Sequence, residues 1–349
     1  MNKYDLVISL GGRCRMTSAL KMLKITEKTY PFDWVAYNGD VAAEHLLTKC
    51  RLIKNHFEDA FNIEDFVEYY NPGNPGNRSV KNVKTVIRFA HDFSWEKSLR
   101  DDFPVVLEKY QRRIKRFYDD IENANNIVFV FEDSSRKMPL KTIKETIDIL
   151  KEYFKNKNIN LLVFLPLLPA GSQQYQELKL NIDNVVVLLI SAVDGAGITY
   201  DKEVSNMAKY LGQFFGRKYY SFSNNKDIVC SGLSGVESFG RWSDDDIAFF
   251  RLETDLKDPE VSVDIKVNPF ICPARPNQKC KVICNGHEIK ELIIDQPQTI
   301  NFVVPNDNEG NLDFVFEFDN PVSPKDLGIA SDSRRLALGF VDAIIKSNQ

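Results

Sequence analysis

Apolar and β-branched residues run together from Tyr4 to Leu10, and Met16, Leu20 and Leu23 then recur at helical spacing. The chain therefore opens with a strand, a tight turn at Gly11 and Gly12, and a helix. A helix is predicted from about Val41 to Phe57 and a polar loop over 69–79; Val83–Ala90 reads as a second strand, and 106–121 as a charged amphipathic helix. Three further strand-and-helix units follow. Strands at 127–132, 160–166 and 184–191 precede helices at 140–154, around 172–180 and near 201–214. Continuous apolar strands alternating with amphipathic helices predict an α/β domain over residues 1–222, an open parallel sheet of Rossmann-like or flavodoxin-like type.

The periodicity changes after that. Seven short strands separated by turn residues fill 246–349, and Asn285-Gly286 is a hairpin signal, so this part is predicted to be an all-β sandwich. Residues 223–245 read as the linker between the two domains.

A length of 349 residues fits two cores, and 43% hydrophobic with 27% charged residues is ordinary for a soluble protein. The net charge of −4, with Lys and Arg spread along the chain, gives no nucleic-acid footprint. No apolar run reaches the length of a membrane span and the first ten residues lack a secretory pattern, so a cytoplasmic location is expected. The six cysteines form no C-x-x-C pair and the four histidines are scattered, which argues against zinc. Reduced thiols are expected, each either core filler or chemistry.

In an open parallel sheet, ligands bind beyond the carboxyl ends of the strands. That edge collects Gly11 to Cys14, then His91 and Asp92, then Glu132, Asp133 and Ser134, and finally Asp194. Cys14 at a helix start sits near unpaired N–H groups and the positive end of the dipole, which favour the thiolate. With His91 as base, the thiolate would attack an acyl carbonyl while backbone N–H groups around Gly12, Arg13 and Arg15 receive the oxyanion. Asp33 in Tyr-Pro-Phe-Asp-Trp is the candidate to orient the imidazole; its rival role is to cap its own turn. Asp92 and Glu132 are candidate substrate contacts, Glu132 having the alternative of capping the next helix. Cys14 and His91 have a structural alternative as buried packing residues.

The segments ISLGGRCRMTSALKMLKITEKTYPFDWV, IRFAHDFS, KYQRRIKRF and NIVFVFE, over about 4–165, resemble a bacterial family of unknown function labelled papain-like cysteine peptidase. The resemblance implies Cys14 as nucleophile and His91 as base. A looser likeness is to capsule-biosynthesis acetyltransferases with a glycine-and-cysteine turn after the first strand. Residues 231–346 are similar to a β-sandwich module appended to surface-polysaccharide enzymes, which implies a glycan or glycan precursor as partner and polysaccharide-assembly enzymes as neighbours. The resulting expectation is a Cys14–His91 acyltransferase or hydrolase of surface-polysaccharide biosynthesis whose sandwich binds carbohydrate or a partner enzyme. No resident cofactor is assigned, and acyl-CoA or a nucleotide sugar is the candidate donor. The rivals are a glycosyl or related transferase using a nucleotide sugar, relying on Glu132 or Asp133, and a glycan-binding scaffold without catalysis.

Overall fold

A computed structural model describes residues 4–36, 42–58, 60–69, 78–133, 135, 137–192, 198–223, 228–307 and 309–348. Ser134, Asp194 and most of the predicted loop at 69–79 lie outside these. The chain divides into two compact units, Asn2–Leu211 and Gly212–Gln349.

The first unit contains β1 (Leu6–Ser9), α1 (Cys14–Met22), β2 (Val35–Ala36), α2 (Ala42–Lys54), β3 (Phe66–Glu68), β4 (Arg78–Asn82), β5 (Arg88–Phe93) and α3 (Leu99–Asn123). It continues through β6 (Asn126–Glu132), α4 (Leu140–Tyr153), β7 (Asn158–Leu168), β8 (Gln176–Leu178), β9 (Val185–Ser191) and α5 (Tyr200–Phe215). Its main sheet has the order β1-β6-β7-β9-β8, with the first four strands parallel and β8 antiparallel at the edge. In β6 only Asn126 escapes full burial, as a central strand covered on both faces requires.

Two expectations need correction here. The strand carrying His91 is not in the parallel sheet: β5 lies in a four-stranded sheet of order β2-β5-β4-β3, in which every pairing is antiparallel. The segment around 172–180 is not a helix but supplies β8, which pairs with β9. The α/β class therefore holds in the form of a mixed sheet beside a small antiparallel one, rather than a single open parallel sheet. Phe66, Phe89, Phe93 and Tyr110 join the small sheet to α3, and they belong to the same buried core as Ile127, Phe129 and Val163 of the main sheet. Ser98 caps α3, its hydroxyl accepting from the Asp101 N–H at 3.2 Å.

The second unit is a sandwich of two five-stranded antiparallel sheets. Its strands are β10 (Arg217–Ser221), β11 (Val229–Ser231), β12 (Arg241–Trp242), β13 (Ile247–Glu253), β14 (Glu260–Pro269), β15 (Gln278–Cys284), β16 (His287–Ile294), β17 (Gln298–Pro305), β18 (Asn311–Phe318) and β19 (Leu338–Ser347). One sheet runs β10-β19-β14-β17 with β12 also on β19; the other runs β11-β13-β18-β15-β16. Inward residues alternate along β13, β17 and β18, and Phe250 and Phe316 of one sheet meet Phe340 and Phe302 of the other. Asn285 and Gly286 turn between β15 and β16 with φ of 50° and 79°, the mirror-image turn that a tight hairpin demands. The sandwich begins ahead of the boundary at 222 read from the sequence, because β10 pairs with β19, and the stretch at 223–245 supplies β11 and β12. Among the described residues, no helix is long and apolar enough to cross a membrane.

Candidate active site

The first strand ends in a turn built around two glycines. Ser9 Oγ accepts from the Gly11 N–H at 2.9 Å, and the Leu10 N–H still bonds to Val130 of β6 at 2.8 Å. Gly11 and Gly12 have φ of +76° and +123°, where side chains are strained. At Gly12 a Cβ would stand 2.5 Å from the Glu132 carbonyl oxygen, so the turn can close over the end of β6 only with glycine there. Beneath it the buried ammonium of Lys49 donates to the Leu10 carbonyl, and burial pushes its pKa down to about 7. Arg13 is extended, with φ −147° and ψ 158°, and Cys14 is the first residue of α1.

The half-buried Cys14 thiol meets His91 of β5 and Tyr200 of α5, each within hydrogen-bonding reach. Burial works against its ionisation, but the bonds from His91 and Tyr200, the charge of His91 and its own backbone N–H outweigh burial and bring its pKa below the usual thiol value. His91 is displaced upward: the bond to Cys14 raises it, burial opposes, and the charges of Cys14 and Asp92 raise it further. The two shifts together favour thiolate and imidazolium. Cys50, Cys280 and Cys284, by contrast, are each pushed up to about 12 by burial. The Trp34 ring stands edge-on to His91, with centroids 6.5 Å apart.

The other residues singled out in the sequence have different places. Asp33 does not hold the imidazole: its carboxylate accepts from Thr17 Oγ1 at 3.0 Å and from the Tyr30 N–H at 2.6 Å, which is the turn-capping arrangement. Asp92 is not a substrate contact. The alternation of a strand sends its side chain toward α3, where it meets Tyr110 Oη at 2.9 Å and Lys109 Nζ at 2.6 Å. Arg15 and Glu132 are both 0% exposed and form a bidentate pair, so neither reaches substrate. Asp133 is equally buried and caps the following turn through the N–H groups of Ser135, Lys137 and Met138. Arg13, beside Cys14, is exposed. Among the described residues, no three His, Cys, Asp or Glu side chains group as a metal site.

Tyr200, Ser18 and Trp34 were missed. Trp34 follows Asp33 in a motif already singled out, and Tyr200 opens the helix after the last parallel strand, at the edge where ligands bind. Position alone therefore offered a signal for both.

Fold and site together define an α/β unit that presents a Cys–His pair at its first strand-to-helix turn, followed by a β-sandwich. Residues 5–167 match the model of a family described as "Putative papain-like cysteine peptidase (DUF1796)". The chain is also similar to an uncharacterized protein of Acanthamoeba polyphaga mimivirus, 24% identical over 211 residues that span 53% of this chain and 91% of that one. The likeness is thus to a viral protein, and a bacterial source gains no support from it. Among solved structures, similarity is found to the CBM36-1 domain of a multidomain xylanase from the hindgut metagenome of Trinervitermes trinervoides, with TM-score 0.26, 6% identity, and 38% of this chain and 98% of that one covered. The C-terminal CBM6 of a Zobellia galactanivorans laminarinase gives TM-score 0.25, 8% identity, and coverage of 38% and 99%. Scores of this size leave the role of the sandwich to its own residues.

Proposed function

We propose that the chain is a cysteine-dependent acyl-transfer enzyme, a hydrolase or acyltransferase, in which Cys14 is the nucleophile and His91 the base. The observation that carries this reading is the juxtaposition of Cys14, at the first position of α1, with His91 of β5, each displacing the other's pKa, in opposite directions. His91 holds the proton lost by Cys14, Sγ attacks a carbonyl carbon, and the first N–H groups of α1 face the developing oxyanion. Collapse of the tetrahedral intermediate expels the leaving group with the His91 proton, and the acyl group passes from Sγ to water or another acceptor. The match of residues 5–167 supports a cysteine nucleophile. In our reading the acyl compound is a glycan or glycan precursor, on the resemblance of 231–346 to modules of surface-polysaccharide enzymes. A nucleotide-sugar transferase relying on Glu132 or Asp133 is disfavoured, because both carboxylates are buried and fully engaged.

The test is to treat the protein with an activated ester such as p-nitrophenyl acetate and to locate the acyl group by mass spectrometry. One adduct on Cys14, absent from Cys14→Ala and slowed in His91→Gln, is the expected result. Acylation spread over the other cysteines or the lysines would dismiss the site.

A further inference from the structure

Cys14 and Ser18 stand four residues apart on α1, one above the other on a single helix face. The Tyr200 hydroxyl lies 2.8 Å from Ser18 Oγ, one helical turn from Cys14, and is close enough to the Cys14 sulfur for the two to shift each other's pKa. Chemistry fixes the order of donors. A thiolate has no proton to give, so Tyr200 donates to Sγ and its oxygen accepts from Ser18. The phenol keeps its proton throughout the working range, since burial, opposed by the Ser18 bond, together with the charge of Cys14 pushes it up to about 12.

The first turn of α5 is itself anchored. Glu203, three residues after Tyr200, lies 3.4 Å from Arg15 Nη1, and Arg15 is held by Glu132 at the end of β6. An ion-pair chain, buried at Arg15 and Glu132 and partly exposed at Glu203, thus sets the start of α5 against the start of α1. Tyr200 is still 45% exposed, so this side chain is accessible from solvent while it contacts α1.

We propose that Tyr200 is a further catalytic residue, donating first to the resting thiolate and then to the oxygen that takes up charge when Sγ bonds to the carbonyl carbon. This rests on the Cys14–His91 reading. As the sulfur–carbon bond forms, the carbonyl π pair moves to oxygen and the Tyr200 O–H turns from sulfur to that oxygen. When the intermediate collapses, the pair returns, the bond to the leaving group breaks and His91 supplies its proton. Tyr200 ends with the proton it started with.

Alkylation by iodoacetamide builds no oxyanion, whereas acylation by p-nitrophenyl acetate does. Both rates at Cys14 are followed against pH in the full chain, for wild type, Tyr200→Phe, Ser18→Ala and His91→Gln. Tyr200→Phe is expected to move the alkylation profile to higher pH while keeping its plateau. Acylation compared on the plateau, where the thiolate fraction is equal, is expected to fall by about a hundredfold, the usual effect of removing one oxyanion donor. Ser18→Ala is expected to show a smaller fall in the same direction, and it serves as the test if Tyr200→Phe does not fold. Plateau acylation equal to wild type in the folded variant overturns the proposal. His91→Gln reads separately on the underlying pair: an unchanged alkylation profile there removes the Cys14–His91 reading whatever Tyr200 does.

Discussion

The hydroxyl of Thr17 on α1 donates to the carboxylate of Asp33 at 3.0 Å, which ties the helix that carries Cys14 to the Tyr30–Asp33 turn. Burial pushes Asp33 up to about 6, with the bonds from Tyr30 and Thr17 opposing the rise. Between the ordinary carboxylate value near 4 and this one, the folded state binds more protons than the unfolded chain. Stability from this site is therefore full below about pH 4 and declines as pH rises toward 6. Asp33→Asn removes that titration. The stability advantage of wild type over the variant is expected to be largest at acid pH and to shrink toward neutrality, as followed by denaturant unfolding. Cys14 alkylation is expected to stay within about twofold of wild type, because the carboxylate bonds the turn and not His91.

The pair itself has a pH signature. With Cys14 lowered and His91 raised, thiolate and imidazolium coexist in a window between the two steps. Turnover of an acyl substrate is expected to rise through the Cys14 step, level off, and fall when His91 gives up its proton. Alkylation is expected to follow only the first limb. His91→Gln takes away both the bond and the charge, so the thiol step moves up, and the rate at neutral pH drops about tenfold for each pK unit of that movement. A variant profile overlaying wild type contradicts the ion pair.

Arg15 and Glu132 make a third case. Both are fully buried, so Arg15→Met leaves the Glu132 carboxylate buried without its cation, as well as removing the partner of the partly exposed Glu203, and is expected to cost about 3–5 kcal/mol. The double variant Arg15→Met with Glu132→Leu replaces both charges with apolar groups and is expected to recover most of that loss in thermal or denaturant unfolding. Equal losses in single and double variants would mean that packing, and not charge, is what the pair supplies.

Local patterns in the sequence were informative where local forces decide. The alternation of apolar strand and amphipathic helix is visible at β1–α1, β6–α4 and β9–α5, and Asn285-Gly286 announces its hairpin. What strands pair with is not local. The residues of β5 read alike whether their neighbours run parallel or antiparallel, so His91 was placed in the wrong sheet, and at the end of a strand over 83–90, whereas it lies within β5, Arg88–Phe93. Asp33 illustrates the competing rule: a carboxylate three residues past an N–H bonds its own turn before it reaches a distant ring. The contact of Tyr200 with Ser18 spans 182 positions, so no local pattern pairs the two.

The boundary at 222 missed by a strand for the same reason, and that strand gives the last expectation. The boundary was set after the helix near 201–214 with no strand assigned to the residues between, yet Arg217–Ser221 pairs in register with β19, near the end of the chain. Tyr220 and Phe222 are in the sandwich core, with the Phe222 ring 4.9 Å from Phe250 and 5.5 Å from Phe340. The Tyr220 hydroxyl accepts from the Glu253 N–H at 2.9 Å and donates to the Glu253 carbonyl. A fragment 212–349 keeps all of these and is expected to unfold cooperatively by near-ultraviolet circular dichroism. A fragment 223–349, cut where the sequence suggested, lacks β10 and Phe222. It leaves the stretch of β19 from Asp342 to Lys346 without its β10 partner and a cavity of phenylalanine size, a loss of about 3–5 kcal/mol for the ring alone. It is expected to be aggregation-prone, with a melting point well below that of the longer fragment. Equal stability of the two fragments would return β10 to the α/β unit.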